Sequence, residues 1–245
     1  MPQTENPSRE TILARIRTAI RTGASPPDPD AAAARASAGQ DTDADIDAAY
    51  AALPRDYLRA HHDPAATDIV DLFAERAADY RAVVEPVPAS GLPAAIARAL
   101  AARSQTVGAP DGPFVIPAGL PPEWLAELPA GLRLLRDTPP LSPAELDQTT
   151  GVVTGCAVAI AETGTIILDH GPAQGRRALT LVPDFHLVIV RADQVAADLP
   201  DAFARLDPAR PHTLISGPSA TSDIELIRVE GVHGPRTLHI LLATS

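Results

Sequence analysis

Within "AIAETGTIIL", residues 159–168, the acidic side chain Glu162 stands between two apolar runs. An ionised carboxylate placed there loses hydration unless something pairs or solvates it. Gly164 permits a sharp backbone turn, and the hydroxyls of Thr163 and Thr165 can bond local backbone groups, so the pattern predicts a strand, a kink and a second strand. A kink brings Glu162 to the rim of a sheet, where ligands sit in open α/β folds. Two roles are open to it. A partly desolvated carboxylate has a raised pKa suited to acid–base or nucleophilic work, whereas a carboxylate accepting backbone N–H groups simply fixes the turn.

A second chemistry-bearing stretch is "LISGPSATSDIELIRVEGVHGPRTLHILL". A strand ending in Ser216, Gly217, Pro218 and Ser219, followed by a helix starting near Thr221 or Ser222, aims hydroxyls and free N–H groups outward, as an anion site does. The same hydroxyls can instead cap that helix, with Asp223 and Glu225 favouring its first turn and weakening anion capture. Between the two stretches, Arg176 and Arg177 on a Gly- and Pro-containing loop can donate in forked fashion to a carboxylate or phosphate, or remain solvated. His233, beside Gly234 and ahead of Pro235 and Arg236, is the best-placed titrating residue, with a structural hydrogen bond as its other role. His170, His186, His212, His233 and His239 lack close metal-ligand spacing, so no metal site is expected. The phosphate-binding loop G-x-x-x-x-G-K-[ST], the dinucleotide fingerprint G-x-G-x-x-G after the first strand and the nucleophile elbow G-x-S-x-G are all missing.

The elements that must position these residues are legible as patterns. Ile12, Leu13, Ile16, Ala19 and Ile20 predict an amphipathic helix over 8–22, which can dock on its own chain or on a second subunit. Residues 23–43, rich in Pro, Gly, Ala, Ser and Asp, read as a mobile acidic linker. Helical spacing in "TDIVDLFAERAADY" leads into "AVVEPV", after which elements alternate: a helix at 91–103, strand "PFVIP", short helix "PPEWLAEL", strand "LRLLRD" and helix "SPAELDQ". Strands then crowd in as "VVTGCAVAIAE", "TGTIIL", "HLVIVRA", "HTLISGP" and "TLHILLA", with a helix over "DQVAADLPDAFARL". This alternation predicts an α/β fold, a layered and mostly parallel sheet flanked by helices, behind an N-terminal helical extension.

A chain of 245 residues can bury a substantial core. Aromatics make up only 3% and the net charge is -11, which disfavours base stacking and repels phosphate backbones and anionic membranes, so no nucleic-acid partner is expected. No run approaches a membrane span, and "MPQTENPSRE" lacks the features of a signal peptide, so a cytoplasmic location is expected. With Cys156 as the only cysteine, this chain alone forms no disulfide and cannot supply several thiolates to an iron–sulfur cluster.

Four stretches, "AETGTIIL", "PAQGRRALTLVPDFHLVIVRADQV", "ISGPSATSDIE" and "GVHGPRTLHILL", occurring in order over 151–245, resemble the LUD-domain family, and within it the lactate utilization C branch. The resemblance implies a fold like the NagB/RpiA/CoA-transferase group and a division into residues 1–60, helix and linker, and 61–245, the LUD α/β domain. It further implies a part in oxidising L-lactate to pyruvate beside iron–sulfur subunits, with no cofactor in this chain and the clusters in those partners. The motif positions are Glu162 to Thr165, Ser216 to Ser219, Asp223 to Glu225, and Gly231 with His233 to Arg236. Related CoA transferases use a glutamate near a strand end, which singles out Glu162 by analogy. Ligand-binding roles are expected for Thr163, Gly164, Thr165, Arg176, Ser216, Gly217, Ser219, Thr221, His233 and Arg236. A second class of function is also open: a stand-alone enzyme or binding protein for an anionic small molecule such as a nucleotide, folate or acyl-CoA.

Overall fold

The run Phe185–Arg191 is buried at every position but its last, which a strand tolerates only when both faces of its sheet are covered. In the computed structural model it is a central strand. The structure describes residues 50–53, 67–108, 112–221, 229–231 and 233–244. The chain divides into two compact units, Met1–Tyr57 and Leu58–Ser245. Of the first, residues 50–53 are described and form a turn in which the Leu53 N–H donates to the Tyr50 carbonyl at 3.3 Å. The expected leading helix over 8–22 and the linker over 23–43 lie outside the described residues.

Among the described residues of the second unit, the first element is α1 (Ile69–Asp79), capped by Asp68, whose carboxylate accepts from the Val70 N–H at 2.8 Å. The strands and helices that follow are β1 (Val83–Pro88), α2 (Leu92–Thr106), β2 (Phe114–Ile116), β3 (Leu134–Arg136) and α3 (Pro143–Asp147). Next come β4 (Gly151–Thr154), β5 (Val158–Ile160), β6 (Thr165–Leu168), β7 (Phe185–Arg191), β8 (Val195–Ala196) and α4 (Leu199–Ala204). The chain ends through β9 (Thr213–Ile215), β10 (Ala220–Thr221), β11 (Val229–Glu230) and β12 (Thr237–Thr244). A reciprocal box between Ser142 and Glu145 starts α3, as the sequence "SPAELDQ" invites.

Six strands form one sheet in the order β1-β12-β7-β4-β2-β3, every pair parallel. Because strand side chains alternate, Leu187, Ile189 and Leu241 turn to the face covered by Leu92, Ile96 and Leu100 of α2. Val188, Val190, Ile240 and Leu242 turn to the other face, against Phe73 and Ala77 of α1 and Ala159, Ile166 and Leu168 of a second sheet. Fully buried side chains such as Phe73, Ile96 and Leu100 each contribute roughly 2 to 3 kcal/mol of burial. The expected α/β layering with a mostly parallel sheet is thus present. Among the described residues, no helix is long and apolar enough to cross a membrane.

Three local expectations change. The run "VVTGCAVAIAE" is not one strand: at Gly155 the N–H turns to the Ala173 carbonyl, 2.8 Å away, and the chain leaves the parallel sheet to start the second one. That second sheet, ordered β8-β5-β6-β9, is mixed and was not anticipated. The helix expected over 193–206 shrinks to α4, because Val195 and Ala196 pair with Ala159 and Ile160 instead, and Pro200 is tolerated only in a first turn. No helix starts at Thr221, which lies in β10 and pairs with Val229; residues 222–228 lie outside the described residues.

The hairpin β5–β6 carries the kink read from the sequence, with Ile160 opposite Thr165 and the Gly164 N–H reaching back to the Ala161 carbonyl. Gly164 has φ +58, and a Cβ there would lie 2.5 Å from the Ala77 backbone N of α1. Gly164→Ala should therefore cost roughly 2 kcal/mol or more in urea denaturation, from left-handed strain plus overlap with α1 backbone. Gly108→Ala, at φ +63 with nothing within 4 Å, should cost only about 1 kcal/mol. Equal losses at the two positions would rule out the close approach of the turn to α1.

Candidate functional site

The corner after β9 and the loop before β12 enclose a cavity of about 310 Å³. Ser216, Gly217, Pro218 and Ser219 form one wall, His233, Gly234 and Pro235 another, and Arg177 and Thr180 a third. Its floor includes His186 and Leu238, paired second residues of β7 and β12, so the cavity opens at the amino ends of the central strands and the carboxyl end of β9. Through Arg177, Leu181, His233 and Gly234 it shares walls with a wider cavity of about 620 Å³, to which Asp147, Asp184 and Arg236 also contribute. Among the described residues, the inner cavity is lined by one arginine and no carboxylate.

Two sets of contacts hold the corner. Thr165 stands opposite Ser216 across β6–β9, next to the Ile166–Ile215 pair, and their hydroxyl oxygens are 2.8 Å apart. Thr163 Oγ1 lies 2.7 Å from Thr165 Oγ1, so three hydroxyls run in series from the kink to the cavity wall. Gly217, at φ +84, presses on Tyr80, whose carbonyl oxygen would be 2.5 Å from an added Cβ. The kink and the corner therefore both abut the end of α1. From the other side, the Ser219 N–H donates to the Pro235 carbonyl at 2.8 Å, and the His233 N–H donates to Ser219 Oγ at 3.0 Å. That ladder ties the corner to the loop ahead of β12.

The residues singled out from sequence separate into groups. Ser216, Gly217, Ser219 and His233 line the inner cavity, Arg236 lines the wider one, and Thr221 follows directly on the cavity wall in β10. Thr163 and Thr165 reach the cavity only through hydroxyl contacts. Gly164 packs on α1. Glu162 sits half-buried in the turn, its N–H donating to the Ala197 carbonyl at 3.1 Å, and it is not a lining residue. Arg176 turns away to grip Asp137 through Nε at 2.7 Å and a second guanidinium nitrogen at 3.0 Å, with a further bond to the Leu141 carbonyl. Burial pushes the Asp137 carboxyl up, but bonds from Arg176 and the Leu141 N–H, with the Arg176 charge, outweigh it and hold the group below the usual carboxylate range. Arg177, exposed beside it, is the arginine that faces the cavity.

Sequence reasoning did not single out His186 or Thr180 for the site. His186 is 1% exposed, and its Nε2 lies 2.7 Å from Thr154 Oγ1. Burial pushes its pKa down to about 3, so the ring is neutral at ordinary pH. His170, at φ +58, adds an outer brace: Nδ1 lies 3.1 Å from the Gly175 carbonyl and Nε2 3.1 Å from Oγ1 of the wall residue Thr213. The assembled cleft offers a cationic guanidinium, two serine hydroxyls and neutral imidazole, a donor set that suits a small anion.

Two measurements follow. In the unfolded chain His186 takes up a proton near pH 6.5, but in the folded chain only near 3. Unfolded protein thus binds more protons between those values, and stability falls as pH drops through that window. Urea denaturation should show wild type losing about 2 kcal/mol more than His186→Gln between pH 7 and pH 5; parallel losses would contradict a buried neutral ring. Thr165→Val, which removes the hydroxyl joining Thr163 to Ser216, should cost roughly 1 kcal/mol in the same assay.

The LUD domain family profile matches residues 144–243, which include every residue lining the inner cavity. Lactate utilization protein C of Deinococcus radiodurans is 50% identical over 179 residues, covering 71% of this chain and 79% of that protein. The uncharacterized protein YkgG of Escherichia coli is 34% identical over 100 residues, 38% of this chain and 43% of its own length. A crystal structure of a DUF162 family protein from Deinococcus radiodurans superposes with a TM-score of 0.58 at 44% identity, covering 72% of this chain and 96% of that one. With 50% identity over 179 residues that cover 79% of a relative's length, and the profile spanning the whole inner cleft, the chain belongs to the LUD domain family.

Proposed function

We propose that this chain is the non-cluster subunit of an iron–sulfur system that oxidises L-lactate to pyruvate. The observation that carries the reading is the 50% identity to a lactate utilization protein C over 179 residues. Oxidising the alcohol carbon removes two electrons and two protons. The one cysteine of the chain, Cys156, is buried with its thiol pushed up to about 12, and a multi-thiolate cluster needs ligands from other chains. The electron-carrying clusters accordingly belong to cytoplasmic partner subunits, and this chain contributes the anion-binding cleft. Arg177 supplies charge to a carboxylate there, and Ser216 and Ser219 supply hydroxyls.

The union of the inner cavity with the wider one of about 620 Å³ favours a second reading. In it, the chain acts alone on a larger anion such as a nucleotide, folate or acyl-CoA; Glu162, the reacting carboxylate expected from sequence, lines neither cavity. Thermal stabilisation by one of these ligands, together with normal L-lactate growth in a deletion strain, would favour it over the first.

Deleting the gene from a strain without a second copy should abolish growth on L-lactate while leaving growth on pyruvate intact, and tagged protein should co-purify with cluster-bearing subunits. Restoring wild-type chain should rescue growth, and Ser219→Ala with Arg177→Ala should reduce it at least tenfold in rate or yield. Normal lactate growth in the deletion strain would contradict the proposal.

A further inference from the structure

The second position of a central parallel strand is ordinarily apolar, yet β7 places His186 there. The ring is flanked in the sheet by Val152 of β4 and Leu238 of β12, and it shares its face with Val188 and Val190. A polar ring buried to 1% exposure carries a desolvation cost that hydrogen bonds must offset. Thr154 offsets half of it: its Oγ1, itself buried on β4, lies 2.7 Å from Nε2. Nδ1 has no hydrogen-bond partner among the described residues, and the ring lines the cavity of about 310 Å³. A fixed imidazole at a cavity floor, bonded among the described residues through Nε2 alone, is arranged to bind through Nδ1 something that enters the cavity.

We infer that His186 recognises the ligand of this cleft, its Nδ1 meeting the hydroxyl or carbonyl oxygen next to the carboxylate of a 2-hydroxy or 2-oxo acid. The inference rests on the lactate reading and adds to it the residue that reads the oxygen beside the carboxylate. The carboxylate faces Arg177 and the hydroxyls of Ser216 and Ser219, which line the same cavity. Thr154 fits either tautomer. When its O–H donates to Nε2, the proton sits on Nδ1, which donates to a carbonyl or hydroxyl oxygen. When Nε2–H donates to Thr154, Nδ1 accepts from a hydroxyl. The neutral ring serves either oxidation level of the acid without adding a second charge beside Arg177, and Thr154 is the residue that positions it.

Calorimetric titration of the purified full chain with L-lactate, pyruvate and propionate tests this, since propionate has the carboxylate but lacks the neighbouring oxygen. L-Lactate or pyruvate should bind at least tenfold tighter than propionate. His186→Leu should erase that preference, bringing all three acids to one affinity, whereas Arg177→Ala should weaken all three by a similar factor. Where His186→Leu fails to fold, ¹⁵N-edited NMR of wild type supplies the readout: the His186 Nδ1 resonance should move on adding L-lactate and stay in place with propionate. Equal affinity for propionate, lactate binding without an Nδ1 response, or binding of none of the three acids would overturn the inference. Loss of lactate growth on deletion combined with no acid binding would leave the pathway role standing and remove this one. Tight binding of a nucleotide or acyl-CoA alone would remove it in favour of the larger-anion reading.

Discussion

Thr165 and Ser216 face each other across two antiparallel strands with their hydroxyls 2.8 Å apart, and the cleft depends on that pairing holding its register. A slip of one residue in β6 would exchange the faces of Ile166 and Ile167 and send Thr165 away from Ser216. Two glycines add a steric condition. Gly164 and Gly217 bring the kink and the corner against the last turn of α1 so closely that no side chain fits between. The helix itself is fixed by Phe73 and Ala77, both fully buried on the parallel sheet. Packing of one helix on one sheet thereby determines where a polar loop stands some distance along the chain, which is how a rigid scaffold gives a loop defined geometry.

The position of the cleft departs from the habit of open α/β sheets, in which ligands sit beyond the carboxyl ends of the parallel strands. Here the small mixed sheet covers one face of the parallel sheet, and its β9 ends where β7 and β12 begin. The cavity forms at that junction. Its electrostatics follow from which charges are already matched. Arg176 is spent on Asp137, and Asp184 is shared by Arg103 and Arg236, at 3.2 Å each. Arg177 is left to the cleft, with hydroxyls and a neutral histidine around it. An anion entering the inner cavity meets attraction with no carboxylate among its described lining residues, while Asp147 and Asp184 line the wider one.

Much of the fold was legible because long apolar runs and capping residues speak locally. Asp68 and Ser142 cap as their types suggest, and the α/β alternation up to β4 is what the periodicity predicts. The second sheet was not legible, since Val158–Ile160 and Val195–Ala196 are short apolar runs whose pairing is decided by tertiary contacts. A helix start at Thr221 is excluded for a similar reason: Thr221 pairs with Val229 in β10, a partner that local sequence does not announce. In the site, the serine corner was visible from Ser, Gly and Pro in sequence. His186 was hidden because a single histidine inside a strand run reads as core, and only the neighbouring Thr154 and the cavity give it another meaning. Choosing between Arg176 and Arg177 required knowing where Asp137 lies.

The serine corner and the His233 loop form the walls of one cleft, and a ligand held there must touch both. Amide chemical-shift mapping of the isotopically labelled chain, titrated with L-lactate, addresses it most directly. The largest shifts should fall on Gly217, Ser219, His233 and Gly234, with Arg177 following. Shifts confined to the turn at Glu162, or spread over the α2 face with those four amides unmoved, would contradict it.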